Sequence, residues 1–128
     1  MQDRPTANEL LQSVSAFLRD ALLPKLSGRE AFDTRVAANV LDIVERELRL
    51  APAEAAAERQ RLCQLLGAEG SLEALNRQLC DGIAAGCYDL DTPGLTDHLW
   101  AVTLSKLAID QPSYASYQAA LRASETSA

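Results

Sequence analysis

Apolar residues return every three or four positions along most of this chain, and nowhere do apolar and polar residues alternate long enough to build a half-buried strand. A chain with that rhythm buries its apolar groups along stripes on helices, because about 3.6 residues make one turn and positions three and four apart share a face. Composition points the same way. Aromatic residues are 5% of the sequence while Ala and Leu abound, so strand-favouring side chains are scarce and good helix formers dominate. The expected fold class is all-α, a compact bundle of five or six helices.

Caps and breakers divide the pattern. Thr6-Ala7-Asn8-Glu9 reads as a capping box, in which the Thr hydroxyl and the Glu carboxylate each accept from a free amide at a helix start. The helix it opens carries Leu10, Leu11, Val14, Phe17, Leu18, Ala21 and Leu22, and Pro24 limits it. Gly28 marks a turn, and Phe32, Val36, Val40, Ile43, Val44 and Leu48 continue a second helical period to about Leu50. Pro52 suits the first turn of a third, Ala-rich helix that carries Leu62, Leu65 and Leu66 and ends at Gly67. Ser71 or Gly70 opens a fourth with Leu72, Leu75, Leu79 and Ile83; Gly82 weakens its last turn and Gly86 stands at its stop. Thr92 followed by Pro93 predicts a cap and first-turn proline for a fifth helix, from about Gly94 to Asp110, with an apolar arc wide enough for a central position. Pro112 breaks it, a short helix runs from Ser113 to Arg122, and residues 1–5 and 123–128 are expected as an extended start and a frayed tail.

A chain of 128 residues fits one domain, 1–128, with enough core to fold without disulfides or metal. Its net charge of −6 repels phosphate backbones, and the ten Arg and two Lys are scattered among acids, so neither nucleic acid nor an acidic membrane surface is an expected partner. The N-terminus carries no apolar signal segment, and no apolar run approaches the roughly eighteen residues of a membrane span. Cys63, Cys80 and Cys87 are odd in number and irregularly spaced, which suits reduced thiols in a cytoplasm, each a small buried hydrophobe.

No catalytic constellation emerges. His98 is the sole histidine and has no carboxylate or thiol at ligand spacing on its helix face, so no metal site and no cofactor are expected. Asp89-Leu90-Asp91-Thr92-Pro93-Gly94 imitates the start of a calcium loop, but Pro93 stands where an oxygen ligand is needed and Trp100 where the closing acid should be; helix capping by Thr92 accounts for it better. Ser71 after Glu69-Gly70 is read as a cap, not a site of modification. Arg35, Asn39, Asp42, Arg46 and Arg49 form one edge of the second helix. Arg35, Asn39 and Arg46 are the candidate residues for binding an anion or a partner through guanidinium forks, against the plainer reading of a solvated edge with local ion pairs. Glu47 falls within the arc of Val36, Val40, Ile43 and Val44, and Lys106 within that of Leu95, Leu99, Val102 and Ile109. Burial of two such charges is tolerable if they pair, so Glu47 and Lys106 are the candidate buried structural pair, the rival being that both snorkel past the core edge.

Arg4-Pro5-Thr6 with Glu9-Leu10, Arg35-Val36-Ala37-Ala38-Asn39, Ile43-Val44-Glu45-Arg46-Glu47-Leu48 and Lys106-Leu107-Ala108-Ile109-Asp110 together resemble an uncharacterised bacterial family, domain-of-unknown-function family 6285. Members of that family tend to be encoded beside aminoglycoside-phosphotransferase-like kinases and acyl-CoA dehydrogenases. The resemblance therefore implies an accessory role in acyl-CoA or hydroxyacyl metabolism and carries over no functional residue. The expected function is a non-catalytic accessory domain that binds such a partner protein, with self-association left open. The alternative is a module binding a small anionic metabolite such as an acyl-CoA at the Arg35, Asn39 and Arg46 edge.

Overall fold

The structure, a computed structural model, describes residues 4–126, and among them all regular structure is helical. Five α-helices follow in order: α1 Ala7–Ala16, α2 Gly28–Leu66, α3 Leu72–Ala84, α4 Leu95–Asp110 and α5 Ala115–Thr126. The chain divides into two compact units, residues up to Ala51 and residues from Pro52 onward, and α2 contributes to both. No helix among the described residues is long and apolar enough to cross a membrane.

The first unit is a helical hairpin. The capping box forms as the sequence predicts: Thr6 Oγ1 accepts from the Glu9 amide at 3.3 Å and Glu9 Oε2 accepts from the Thr6 amide at 2.7 Å. The Thr6 amide and then its hydroxyl hold the Glu9 carboxyl below its ordinary value. After α1 the helix widens into a π-helical turn over Phe17–Leu22, where the Leu23 amide reaches back five residues to the Leu18 carbonyl, and closes as a single 3₁₀ turn, Leu23–Lys25, around Pro24. Gly28, at φ +57°, then takes the left-handed turn into α2.

Pro52 does not open a new helix. The expected second and third helices are one element of 39 residues with Pro52 inside it. Pro52 has no amide to offer the Leu48 carbonyl, but Leu48 is half exposed, so water can satisfy that oxygen, and Ala51, Ala53, Ala55, Ala56 and Ala57 supply the strongest helix propensity available on both sides.

The second unit holds the larger core. Leu62 of α2, Leu75 and Leu79 of α3 and Leu95 of α4 are each at most 3% exposed, and Leu65, Leu66, Leu72 and Tyr88 pack around them. The connection from α2 to α3 turns at Gly67 (φ +61°) and is fastened by Arg59, which donates to the Gly70 carbonyl at 2.8 Å and to Glu69 at 2.9 Å. Ser71 caps α3 as expected, accepting from the Ala74 amide at 3.2 Å. Gly86 closes α3 in a Schellman arrangement: at φ +72° it donates to the Ile83 carbonyl, and Cys87 donates to the Gly82 carbonyl.

Several expectations change here. Thr92 does not cap α4. Its hydroxyl accepts from the Asp89 amide and donates to Asp89 Oδ1, closing a turn, and Gly94 occupies the N-cap in the left-handed region instead. Nor is α4 central on all sides: Leu95, His98 and Ile109 are buried, but Trp100 is 57% and Leu99 42% exposed. Cys80 and Cys87 are exposed and are not core residues, whereas Cys63 is half-buried and packs against the core cluster. The last helix runs through Thr126, beyond the expected Arg122; Gln118 ties its first turns to the Pro112 carbonyl, and Ser124 and Thr126 bond back to carbonyls of their own helix. The rest of the expected tail and the start before Arg4 lie outside the described residues.

Candidate interaction surface

Each helix of the hairpin has a face turned to the other and a face turned away. The facing sides meet through small and polar groups. Ala38, 1% exposed, is the one apolar side chain of this unit that is buried among the described residues, and Ser15 is 6% exposed. Ser15 Oγ donates to Asp42 Oδ1 at 2.6 Å, Arg19 pairs with Asp42 and donates to Asn39 Oδ1 at 2.9 Å, and Gln12 donates to Glu45 at 3.2 Å. Burial alone would raise the Asp42 carboxyl, but the hydrogen bonds from Ser15 and Arg19, with the charges of Arg19 and Arg46, hold it below its ordinary value. Small residues allow close approach of the two backbones, and the directional bonds fix their register.

The apolar groups of α2 point the other way. Phe32, Val36, Val40, Val44 and Leu48, spaced four apart, are 56%, 43%, 51%, 40% and 50% exposed. Val40 and Val44 lie two positions on from Ala38 and Asp42, which is roughly 200° around a helix, so the middle of this ridge lies opposite the side that meets α1, and the row winds toward the flank at Phe32. On α1, Leu10, Val14 and Phe17 are likewise exposed.

The residues singled out from the sequence take different places. Arg35 is exposed on α2, whereas Asn39 is spent as the acceptor for Arg19. Arg46 lines a cleft of about 250 Å³ together with Asp42 and Glu45, whose carboxylates oppose an incoming anion. Arg35 and Arg46 stand about 16 Å apart along the helix axis, so the three do not converge on one point. Local ion pairs of the expected kind are present along α2 and α3: Arg29 with Asp33, Arg49 with Glu45 and Arg77 with Glu73.

Glu47 and Lys106 are not buried: both are exposed, each within its own unit. The inference failed because it equated membership of an apolar arc with burial, and on α2 much of that arc is itself exposed. The signal that reasoning from sequence missed is the inversion of the hairpin. Ser15, Ala38, Asn39 and Asp42 form a small and polar stripe on facing helices, and a stripe of that kind permits close helix contact.

Residues 24–114 match the family described as Domain of unknown function (DUF6285). The chain belongs to that family. No curated protein and no solved structure matches it. The DUF6285 segment contains α2, α3 and α4, and with them the exposed ridge from Phe32 to Leu48; the Arg4-Pro5-Thr6 and Glu9-Leu10 motifs lie outside it.

Proposed function

We propose that this DUF6285 chain is a non-catalytic, cytoplasmic accessory domain that binds a partner protein across the outward ridge of α2. The observation that carries the reading is the exposure of Phe32, Val36, Val40, Val44 and Leu48 on the side away from α1. Five large apolar residues in one row exceed what scattered surface hydrophobes explain, and such rows mark sites where helices of another protein lie down. The partner class drawn from the family's gene neighbours is an aminoglycoside-phosphotransferase-like kinase or an acyl-CoA dehydrogenase. Three free thiols suit a reducing compartment.

The test is co-expression with such a kinase or dehydrogenase from the same source, followed by size-exclusion chromatography with light scattering. A heterocomplex that Val40→Glu dissolves, while helical content stays unchanged, supports the reading. A homodimer that Val40→Glu dissolves reassigns the ridge to a second copy of the chain. A monomer in every mixture refutes it.

A further inference from the structure

The second unit carries a cleft that has no part in the hairpin surface. Arg61, Gln64 and Leu65 of α2 line one side and Gly94, Asp97 and His98 at the start of α4 line the other, with Pro93 between them, around a volume of about 290 Å³. That is the small end of ligand sites, with room for a head group and not for a polymer.

Three independent features of this cleft ask for the same chemistry. The first is the end of α4, a helix of 16 residues whose N-cap is Gly94 at φ +82°, with no side chain to cap it. The Leu95 amide is taken by the Thr92 carbonyl at 3.2 Å, but the amides of Thr96 and Asp97 belong to the first turn and have no acceptor within the helix. Such an end carries partial positive charge and free donors. The second is His98, 2% exposed, whose Nδ1 has no hydrogen-bond partner. The third is Arg61, whose Nε is buried and also without a partner. Buried polar atoms are almost always satisfied, and these two belong to residues that line the cleft from its two sides; both atoms are closed to water as the cleft stands, so each side chain must turn to meet a group that enters.

We propose that this cleft binds a small oxyanion, a carboxylate or phosphate group, between the Arg61 guanidinium, the His98 imidazole and the first-turn amides of α4. Arg61 supplies the charge and a planar fork, and His98 donates from Nδ1 as a neutral imidazole. Glu58, the other acid near His98, is engaged by Asn76 at 2.8 Å. Asp97 faces the same cleft and opposes the anion, which keeps the affinity moderate and gives the site its most informative variant.

The experiment titrates the ¹⁵N-labelled full chain with sodium phosphate and, separately, with sodium acetate, at constant ionic strength. Saturable shifts are expected at the Thr96 and Asp97 amides and the His98 ring nitrogens, with a dissociation constant on the order of 0.1–10 mM for at least one of the two anions. Competition between them tells which group the site prefers. Arg61→Met should weaken binding by at least about tenfold, and Asp97→Asn should tighten it severalfold. If Arg61→Met fails to fold, the Asp97→Asn variant decides alone: tighter binding supports the site, and unchanged binding overturns it. Shifts that grow linearly with both salts also overturn it, leaving a bound water as the partner of His98.

Discussion

A methyl group added at Gly82 would meet the ring of Tyr88, and this contact gives a prediction whose sign differs from that of helix propensity. Gly82 lies in the last turn of α3, where Ala in place of Gly ordinarily stabilises by about 1 kcal/mol. Here a Cβ would stand 2.4 Å from Tyr88 Cε2 and 2.5 Å from Cδ2, whereas carbon atoms rest about 3.5–4.0 Å apart, so the ring must retreat by more than an ångström. It has little room to do so. Tyr88 packs against the Leu62, Leu75, Leu79 and Leu95 cluster, and the neighbouring Cys87 amide is bound to the Gly82 carbonyl itself at 2.8 Å. Overpacking of this kind costs about 1–3 kcal/mol, more if the ring leaves the core, so Gly82→Ala should destabilise by a net ~1–2 kcal/mol. In a Tyr88→Ala background the obstacle is gone, and the same substitution should stabilise by about 1 kcal/mol, a coupling of roughly 2–3 kcal/mol between the two positions. Urea unfolding followed by circular dichroism and by the fluorescence of Trp100, the single tryptophan and a member of the same unit, measures all four variants. A Gly82→Ala chain as stable as the parent, or a coupling near zero, would show that Tyr88 does not hold the place described.

Two further outcomes follow from the long helix and the hairpin. Replacing Pro52 by Ala restores an amide opposite the Leu48 carbonyl and should stabilise the chain by about 1–3 kcal/mol in thermal unfolding; a lower melting temperature would mean that the proline is needed where it stands. Because Asp42 is held below its ordinary value of 3.8, its contribution to the hairpin is fully present above that value and is lost as pH falls through the folded value. Asp42→Asn should therefore cost about 1 kcal/mol at neutral pH, discounted for the partly exposed pair, and should flatten the acid limb of a stability-against-pH curve that the parent chain shows.

What the sequence makes legible is whatever is decided within a turn or two of chain. The Thr6 capping box, the Ser71 cap and the stops at Gly67 and Gly86 each depend on one short segment, and each stands where local chemistry puts it. Errors arise where two local rules compete or where packing decides. Pro52 reads as a helix start because a first-turn proline is the commonest use, but the flanking alanines favour continuation, and the exposed position of Leu48 lowers the cost. Thr92 reads as a cap because its hydroxyl suits one; the Asp89 amide three residues back is the partner it takes. The cleft at His98 was not legible at all, since Arg61 and His98 stand 37 positions apart and only the packing of α4 against α2 within the second unit brings them together.

The hairpin shows why periodicity alone misplaces a charge such as Glu47. A helical period establishes that α2 has an apolar side, but which side meets α1 depends on how closely the two backbones approach, and Ser15 and Ala38 permit an approach that Phe32 or Leu48 would block. The branched ridge is thus left for something else. With each member about half exposed, its five residues offer roughly 400 Å² of apolar surface, about half of what one partner contributes to an interface of standard size, near 800 Å². The remaining area must come from residues around the ridge. Arg29, Asp33 and Glu47 are exposed on that same side, and a rim of that composition surrounding an apolar centre is the usual anatomy of a protein interface. On the proposed reading, Glu47 sits within the apolar arc because it edges the surface on which a partner docks. A charge reversal there should change the association rate and salt dependence of the complex much more than its lifetime, whereas Val40→Glu, at the centre, should shorten the lifetime itself.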